Sequence, residues 1–324
     1  MKYDHEILLL QGGGALGAYQ AGVYEGLVEA GVEPSWVVGI SIGAINAALI
    51  VGNPPERRVE RLREFWRRIA VNVGPPLPAW LDSLRPAVNH MAAMSAATIG
   101  VAGFYRPRMP PASFAADGTE GALSVYDTTP LKATLEELVD FDLINGGQVR
   151  LSVGAVNVCK GTSTYFDTKN TLIHADHVRA SGALPPGFPP VMIDVEADGK
   201  SYQEMHVDGG ASAQVFVYPP GFGVRAFSRE QNVTRERRLH VIRNARLDPD
   251  WAEVERSTLG ILSRAVASLI QTQGVGDLYR IYLAAQRDGI DFNLAYIPET
   301  FTTPLKEPFD TEYMKELFQV GYDL

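Results

Sequence analysis

The sequence predicts an α/β protein whose central sheet is mostly parallel and is sandwiched between helices. Two short apolar runs, Ile7–Leu10 and Trp36–Ile40, stop abruptly at small or polar residues, as buried parallel strands do. A helix-forming stretch follows each run, over 15–30 and over 44–51. Strand and helix therefore alternate from the start of the chain, which is typical of a parallel sheet with helices on its faces.

Further apolar runs extend this pattern towards the C-terminus. We expect strands over 149–158, 163–166, 202–207, 215–218, 239–242 and 292–297. We expect helices over 131–139, 251–272, 277–288 and 311–320. The expected domain organisation is a core over 1–225 and a helical extension over 226–324 that packs on it, together forming one compact domain.

Composition and charge limit the classes of function that this protein can have. The 324 residues are 46% hydrophobic and 21% charged, which suits a large core and excludes a disordered chain. The net charge of −9 argues against general nucleic-acid binding, and weakly against docking on an anionic membrane. The single cysteine, Cys159, excludes an intrachain disulfide and is interpreted as a small strand residue. With no evident signal peptide or membrane span, we expect a cytoplasmic protein, or an exported one whose signal has been removed.

The stretch GISIG, residues 39–43, matches the G-x-S-x-G turn that carries a nucleophilic serine. The predicted strand 36–40 ends at this turn and a helix follows at once, so Ser41 would stand clear on a strained turn. Gly39 and Gly43 would leave room for the helix to close on the strand. The helix N-terminus would favour negative charge that develops beside the serine. The pattern therefore predicts Ser41 as a nucleophile.

The run Gly12-Gly13-Gly14, together with Gly17, allows two interpretations. It satisfies the G-x-G-x-x-G dinucleotide fingerprint after a strand. That fingerprint also needs an acidic residue at the end of the next strand to bind a ribose, and the sequence has Ser41 there. We therefore favour the second interpretation, in which bare backbone N–H groups cradle an oxyanion beside the serine.

A serine nucleophile needs a base, and none of the six histidines lies in the late loop that usually supplies one. Asp208 follows the predicted strand 202–207 and precedes Gly209 and Gly210, so its carboxylate would stand at a strand end with little cover. His206 lies two residues earlier on the same face of the strand. It could tune the base, although a hydrogen bond to a neighbour is the simpler interpretation.

The glycine-rich loop, the GxSxG serine and the late Asp-Gly-Gly, in this order, resemble the patatin-like phospholipases. The proline loop SGALPPGFPP, residues 181–190, resembles that family's block before the aspartate. The resemblance implies a patatin-like, three-layer fold related to the α/β hydrolases, and a Ser–Asp dyad without histidine. Carried over, Ser41 is the nucleophile, Asp208 is the base, and the backbone N–H groups of Gly13, Gly14 and Ile42 are the oxyanion donors. The resemblance implies no metal and no cofactor, and a lipid or other ester as the substrate.

The resemblance covers about residues 5–220 and has local departures. Gln11 stands where the family often has aspartate, and Leu16 stands where it often has a basic residue. The front of the chain, to about residue 190, resembles compact cytoplasmic bacterial members, whereas the stretch from His206 onwards resembles another bacterial branch. The chain is therefore interpreted as a composite of two branches, natural or engineered.

Two segments bear on how a lipid would reach this site. Residues 72–125 are an apolar and proline-rich insertion that includes the stretch HMAAMSAATIGVAGF. We interpret it either as a lid or acyl-groove wall, or as an ordinary helical insertion packed on the core. Residues 54–69 predict a basic helix with six arginines and three glutamates, which favours a solvated face over a surface for lipid headgroups.

Three functional hypotheses follow. The first is a lipid acyl hydrolase for phospholipids, glycerides or other carboxyl esters, with transient contact to a membrane surface. The second keeps the chemistry but changes the substrate, giving a thioesterase or an intracellular polyester depolymerase. The third is a nucleotide-binding or scaffold module, which the missing ribose acid and the intact Ser41 and Asp208 disfavour. The sequence does not indicate an oligomeric state.

Overall fold

The computed structural model describes residues 3, 5–71, 91, 95–197, 199–212, 237–248, 254, 256, 258–301 and 311–324. The predicted strand 215–218, residues 72–90 and 92–94 of the predicted insertion, and most of 249–257 lie outside the described residues. Within the described part of the chain, no helix is both long and apolar enough to cross a membrane.

Ten strands are described. They are β1 His5–Leu10, β2 Trp36–Ile40, β3 Arg106–Pro107, β4 Tyr126–Asp127, β5 Arg150–Asn157, β6 Thr162–Asp167, β7 Val191–Ala197, β8 Lys200–Asp208, β9 Arg237–Arg243 and β10 Asp291–Tyr296. Eight of them form one sheet, and the short strands β3 and β4 pair with each other in a separate antiparallel ribbon.

Eight helices accompany these strands in the described residues. They are α1 Ala18–Glu29, α2 Ile42–Val51, α3 Arg58–Arg68, α4 Thr129–Leu138, α5 Phe141–Asn145, α6 Ala175–Ser181, α7 Thr258–Asp288 and α8 Thr311–Tyr322. A single 3-10 turn, Gly14–Gly17, leads into α1, and another, Gly209–Ala211, follows β8.

The large sheet has the order β10-β9-β1-β2-β5-β8-β7, with β6 also paired to β5. Neighbouring strands from β10 to β5 are parallel, whereas β6, β8 and β7 join in the antiparallel sense. The sheet is therefore mixed and mostly parallel, with helices on both faces, as the sequence predicts.

Alternate strand residues divide the core between the two faces of the sheet. Leu8 and Leu10 of β1 pack in one apolar cluster with residues of α1, α2, α3 and α8. Ile7 and Leu9 of the same strand pack in a second cluster with residues of α7. Because side chains along a strand point to opposite faces, this division gives the helix–sheet–helix layering.

The structure corrects the expectation for residues 251–288. The sequence predicts two helices separated over 273–276, whereas one helix, α7, runs without a break over Thr258–Asp288. Glycine in a helix costs about 1 kcal/mol relative to alanine. Here tertiary packing uses the missing side chain, because a Cβ on Gly274 would lie 2.6 Å from Arg243 Nη1. Gly274 thus allows the close approach of α7 to the end of β9.

The C-terminal part of the chain also differs from the helical extension expected over 226–324. β9 and β10 lie in the central sheet, and β9 pairs with β1 so that Ile242 is opposite Leu10. The run Leu239–Ile242 is buried throughout, which suits an interior strand covered on both faces. Residues that follow β9 therefore reach the same edge of the sheet as the glycine-rich loop after β1.

Five elements were not expected from the sequence. They are the helices α5 and α6, the strand β7, and the two short strands β3 and β4 of the separate ribbon. β7 alternates buried residues with exposed ones: Val191 and Ile193 point inwards and Met192 points outwards. Because of this alternation, its sequence lacks the continuous apolar run that is typical of a strand buried on both faces. α6 spans only seven residues, which is too short for a clear helical period.

Candidate active site

Ser41 occupies a sharp turn between β2 and α2. Its backbone has φ 55° and ψ −125°, and it is the one non-glycine residue with positive φ among those described. Such a conformation is strained for a residue with a Cβ. Gly39 lets α2 close on β2, because a Cβ on Gly39 would lie 2.3 Å from Gly43 O. Gly43 lets α2 approach the end of the neighbouring strand β1, because a Cβ on Gly43 would lie 2.2 Å from Leu10 O.

Ser41 and Asp208 meet because β2 and β8 share one edge of β5. β6 pairs along the other edge, while Ile40 of β2 is opposite Gly154 and Asp208 of β8 is opposite Ala155. β2 runs parallel to β5 and β8 runs antiparallel to it, so the C-terminal ends of β2 and β8 converge head to head. Ser41 Oγ donates a hydrogen bond of 2.7 Å to Asp208 Oδ2 across this junction.

The Asp208 carboxyl group is buried, with only 4% of the residue exposed. Its Oδ1 accepts a hydrogen bond of 2.7 Å from the Gly210 N–H, and its own N–H donates to Ala183 O of the proline loop. Burial raises the pKa of Asp208 to about 6, although the hydrogen bonds from the Ser41 hydroxyl and the Gly210 N–H act in the opposite direction. With a pKa of about 6 the carboxylate is mostly ionised at neutral pH, and it is a stronger base than an exposed aspartate.

Ser181, at the end of α6, fixes the backbone of the serine turn. It is fully buried. Its Oγ accepts a hydrogen bond of 2.8 Å from the Ser41 N–H and donates one of 2.5 Å to Gly154 O of β5. The Ser41 N–H is therefore already engaged in a hydrogen bond within the protein.

The glycine-rich loop exposes backbone donors beside this turn. Gly13 has φ 146° and Gly14 has φ 58°, so both are in the region that favours glycine, and both are exposed. The N–H groups of Gly13, Gly14 and Ile42 donate no hydrogen bond to any other described residue. A Cβ on Gly14 would meet nothing within 4 Å, which leaves open space on this side of the loop.

Buried amides hold the other side of the loop. Asn244, which follows β9, donates from Nδ2 to Gln11 O at 3.0 Å and to Gly12 O at 3.4 Å. Gln20 of α1 donates from Nε2 to Gln11 O at 2.8 Å. In a trans peptide the N–H points away from the preceding C=O. Holding the Gly12 carbonyl on the Asn244 side therefore directs the Gly13 N–H towards the opposite, open side.

The remaining glycines predicted for the site have packing roles. Gly17 closes the 3-10 turn against α2, because a Cβ there would lie 2.6 Å from Ile42 Cγ1. Gly209 lies against β5, where a Cβ would approach Gly154 O to 2.5 Å. Gly12 is buried, and its carbonyl contacts Asn244.

His206 lies beside the site without joining it. Its Nδ1 lies 3.0 Å from Glu204 O, and its ring packs against Phe166 at 5.2 Å between centroids. Burial lowers the pKa of His206, so the ring is neutral at pH 7. These contacts match the simpler interpretation of this residue. No cluster of three or more His, Cys, Asp or Glu side chains among the described residues could hold a metal ion.

Sequence reasoning missed Ser181 and Asn244. Ser181 is the first residue of the proline loop, but nothing in that stretch indicates a contact with Ser41. The position of Asn244 could be predicted from the sequence. It follows the apolar run Leu239–Ile242, and neighbouring parallel strands end at the same edge of a sheet. This pattern could have placed Asn244 beside the glycine-rich loop.

The fold and this edge define the class: a three-layer α/β protein with a serine–carboxylate pair at the C-terminal ends of its strands. The family model described as patatin-like phospholipase matches residues 8–219. The chain therefore belongs to the patatin-like phospholipase family, and lipid ester hydrolysis is the chemistry associated with that family. Asn244 lies beyond the matched range.

Several solved structures are similar to the chain. VipD from Legionella pneumophila is 14% identical with a TM-score of 0.39, over 99% of this chain and 66% of that one. Human GIVD cytosolic phospholipase A2 is 12% identical with a TM-score of 0.38, over 94% of this chain and 47% of that one. ExoU, in the ExoU–SpcU complex of the type III secretion system of Pseudomonas aeruginosa, is 16% identical with a TM-score of 0.27, over 87% and 52%.

The chain thus spans between about half and two thirds of the length of these solved chains. We found no curated protein that matches the chain.

Proposed function

We propose that the protein is a serine acyl hydrolase that cleaves carboxyl esters of lipids with a Ser41–Asp208 dyad. The observation that carries the proposal is the hydrogen bond of 2.7 Å from Ser41 Oγ to Asp208 Oδ2. A nucleophile within hydrogen-bond distance of a base is the arrangement that nucleophilic catalysis requires. Membership of the patatin-like phospholipase family supports a lipid ester as the substrate.

In the first half of the proposed reaction, the Asp208 carboxylate takes the proton of the Ser41 hydroxyl as Oγ attacks the ester carbonyl carbon. The tetrahedral intermediate then expels the alkoxide, which receives the proton from Asp208 and leaves as the alcohol. In the second half, Asp208 takes a proton from water, which attacks the acyl-serine. Collapse of this second intermediate releases the fatty acid and returns the proton to Ser41.

The backbone supplies the electrostatic part of the proposed mechanism. The N–H groups of Gly13, Gly14 and Ile42 lie on the loop and the helix N-terminus that flank Ser41. Because they donate to no other described residue, they are available to the negative oxygen of the tetrahedral intermediate. Removal of one such donor costs about a hundredfold to a thousandfold in kcat. The N-terminus of α2 adds a favourable dipole at the same place.

The raised pKa of Asp208 suits its proposed role. A general base works best when its pKa is near the working pH. At a pKa of about 6, Asp208 is mostly ionised at pH 7 and is a stronger base than an exposed aspartate. We therefore expect kcat/KM to fall below about pH 6 as the carboxylate is protonated.

Labelling with a fluorophosphonate tests the proposal directly. The reagent should phosphonylate Ser41 Oγ with loss of fluoride, giving one adduct in the intact-protein mass spectrum. Ser41→Ala should give none, whereas Ser163→Ala, which removes an exposed serine on β6, should label like the wild type. Labelling of Ser41→Ala to the same extent, or no labelling of well-folded wild type, would contradict the proposal.

Substrate panels then distinguish lipids from other acyl donors. p-Nitrophenyl esters of rising chain length, a phosphatidylcholine, an acyl thioester and a short polyester should be hydrolysed with different kcat/KM values. We expect the long-chain carboxyl esters to have the highest values. A thioester or polyester that exceeds them would replace lipids as the substrate class and leave the dyad in place.

A further inference from the structure

Arg243, the last residue of β9, is a buried charged side chain that the proposed mechanism does not use. The residue is 0% exposed and is the largest of the fully buried side chains in the described part of the chain. An arginine in a protein keeps its positive charge at neutral pH. Burial of a charge is costly unless a charge of opposite sign lies beside it, so a buried guanidinium needs an explanation within the structure.

No carboxylate offsets this charge within the part of the chain that the structure describes. The guanidinium donates from Nε to Arg246 O at 3.2 Å and from Nη2 to Gln271 Oε1 at 2.8 Å, and both acceptors are neutral. Burial lowers the pKa of Arg243, and no described acidic residue acts against this shift. Asp277, the acidic residue of α7 that is closest in sequence to Gln271, is paired with Arg280 at 3.1 Å. The charge of Arg243 is therefore uncompensated among the described residues.

The third guanidinium nitrogen lies beside Gln11, the residue that leads from β1 into the glycine-rich loop. A Cβ on Gly274 of α7 would lie 2.6 Å from Arg243 Nη1 and 3.2 Å from Gln11 Nε2, so these two nitrogens are at most about 6 Å apart. Neither Arg243 Nη1 nor Gln11 Oε1, both buried, has a hydrogen-bond partner among the described residues. Half a turn of the Gln11 amide would exchange Nε2 and Oε1 and bring the acceptor to the arginine side.

Strand pairing sets the charge of Arg243 close to the proposed oxyanion donors. The Gln11 N–H donates to Ile242 O at 3.1 Å, so Gln11 and Arg243 follow a matched pair of residues on the neighbouring strands β1 and β9. Adjacent strands lie about 5 Å apart, and two residues of chain span at most about 7 Å. The guanidinium therefore lies within about 15 Å of the Gly13 N–H.

A charge at this distance is large enough to affect the transition state. Two unit charges about 10–15 Å apart, at an effective dielectric constant of about 20, interact strongly enough to change an equilibrium constant about tenfold. Solvent and salt screen a buried charge much less than an exposed one. The tetrahedral intermediate of the proposed reaction carries a negative oxygen at these donors, whereas the ester group of the substrate is neutral. The positive charge would therefore favour the intermediate over the substrate.

We propose that Arg243 supports the proposed oxyanion site with its uncompensated buried charge, which adds to the positive potential at the Gly13 and Gly14 donors. The inference rests on the proposed function for the reaction, and on the contacts of Arg243 and Gln11 for the charge. The competing explanation is structural: Arg243 would only hold the chain after β9, through Arg246 O and the Gln271 side chain. The two explanations differ in whether the charge itself affects turnover.

Urea unfolding tests the charge without any catalysis. Gln11→Glu puts a carboxylate of similar size beside Arg243 Nη1. Because this carboxylate gains an ion pair with an uncompensated arginine, the variant should be at least as stable as the wild type. In the Arg243→Met background the same change buries a carboxylate without a partner, so the unfolding constant should rise at least tenfold. Equal destabilisation by Gln11→Glu in the two backgrounds would overturn the proposal.

Kinetics then separate the charge from the structural explanation. Gln11→Glu keeps the guanidinium and its hydrogen bonds but neutralises its charge, so kcat for p-nitrophenyl butyrate should fall about tenfold with little change in KM. The control is Gln273→Glu, which adds the same charge at an exposed position of α7 and should keep kcat within about twofold. Unchanged kcat in Gln11→Glu, or an equal fall in the control, would overturn the proposal. Absence of p-nitrophenyl butyrate turnover in the wild type would count against the proposed function alone, because the unfolding comparison does not need turnover.

Discussion

The candidate site has two halves that the chain builds in different ways. The first half, the glycine-rich loop and the serine turn, lies within residues 12–43 and consists of backbone in special conformations. The second half consists of Ser181, Asp208 and Asn244, which are side chains delivered from distant parts of the chain. The first half supplies neutral donors and a hydroxyl, and the second supplies the charge and the positioning.

This difference follows from how each half is held. The backbone of a tight turn is fixed by the few residues that form it, so glycines and a serine at set spacing are sufficient. The distant side chains depend on strand register, because β8 must end opposite Ala155 for Asp208 to reach Ser41. A shift of one residue would turn the carboxylate to the other face of the sheet. We therefore expect substitutions in the second half to have graded effects that follow what each side chain contacts, from Asp208 at the Ser41 hydroxyl to Ser181 at the Ser41 backbone.

Replacement of the proposed base should have the largest effect. Asp208→Asn keeps the size of the side chain but cannot accept a proton, so kcat should fall on the order of a thousandfold or more, as should Ser41→Ala. Steady-state hydrolysis of p-nitrophenyl butyrate measures the change. Near-normal turnover in either variant would rule out the dyad.

Asp208→Asn, which should lower activity, should raise the stability of the folded protein at neutral pH. The pKa of Asp208 is about 6 in the folded protein and about 3.9 in an unfolded chain, so the folded state binds the proton more tightly. The Asp208 carboxyl group therefore contributes fully to the free energy of unfolding below about pH 4, and this contribution is lost as the pH rises through 6. Asp208→Asn removes this loss and should be more stable by about 1–3 kcal/mol at pH 7.5, and no more stable at pH 4. Urea unfolding at the two pH values makes the comparison; equal gains at both would contradict burial as the cause.

The first half of the site could be read from the sequence, and the second half only in part. Ser41 and the glycine run are local patterns, and Asp208 was found because a strand and two glycines bracket it. Ser181 could not be found, since its contact depends on where α6 ends relative to β2. The prediction of a helix break over 273–276 is wrong for a related reason. The packing of Gly274 against Arg243 depends on the tertiary fold and has no signature in the local sequence.

Loss of Asn244 should have the next largest effect, because its amide directs the peptides that carry the proposed oxyanion donors. Asn244→Ala should lower kcat by about ten- to a hundredfold with little change in KM, since the donors act in the transition state. Asn53→Ala is the matched control: its buried amide also donates to two carbonyls, Leu49 O and Leu138 O, both at 2.9 Å. The two variants should lose similar stability, and an equal loss of kcat in both would make the role of Asn244 merely structural.

The strained backbone at Ser41 predicts a smaller effect, on stability, for the first half of the site. With φ 55° and ψ −125°, a Cβ at this position is strained, and glycine is not. Ser41→Gly should therefore be more stable than Ser41→Ala by about 1–3 kcal/mol, although both lack the proposed nucleophile. In an unstrained turn the order would reverse, because glycine loses more backbone entropy on folding. Thermal unfolding of the two inactive variants decides between these outcomes.

Ser181 should give the smallest effect on turnover, because it acts on the Ser41 backbone and only indirectly on the reacting atoms. Ser181→Ala leaves the Ser41 N–H and Gly154 O without their shared partner, so the serine turn should loosen and kcat should fall by about three- to tenfold. Ser152→Ala is the control, since this buried hydroxyl of β5 bonds Asp167 and Trp36 and does not touch the site. Both variants should lose about 1–3 kcal/mol of stability. If kcat falls equally in both, turnover follows the general stability of β5; if it falls only in Ser181→Ala, a distant residue tunes even the half of the site that the local sequence builds.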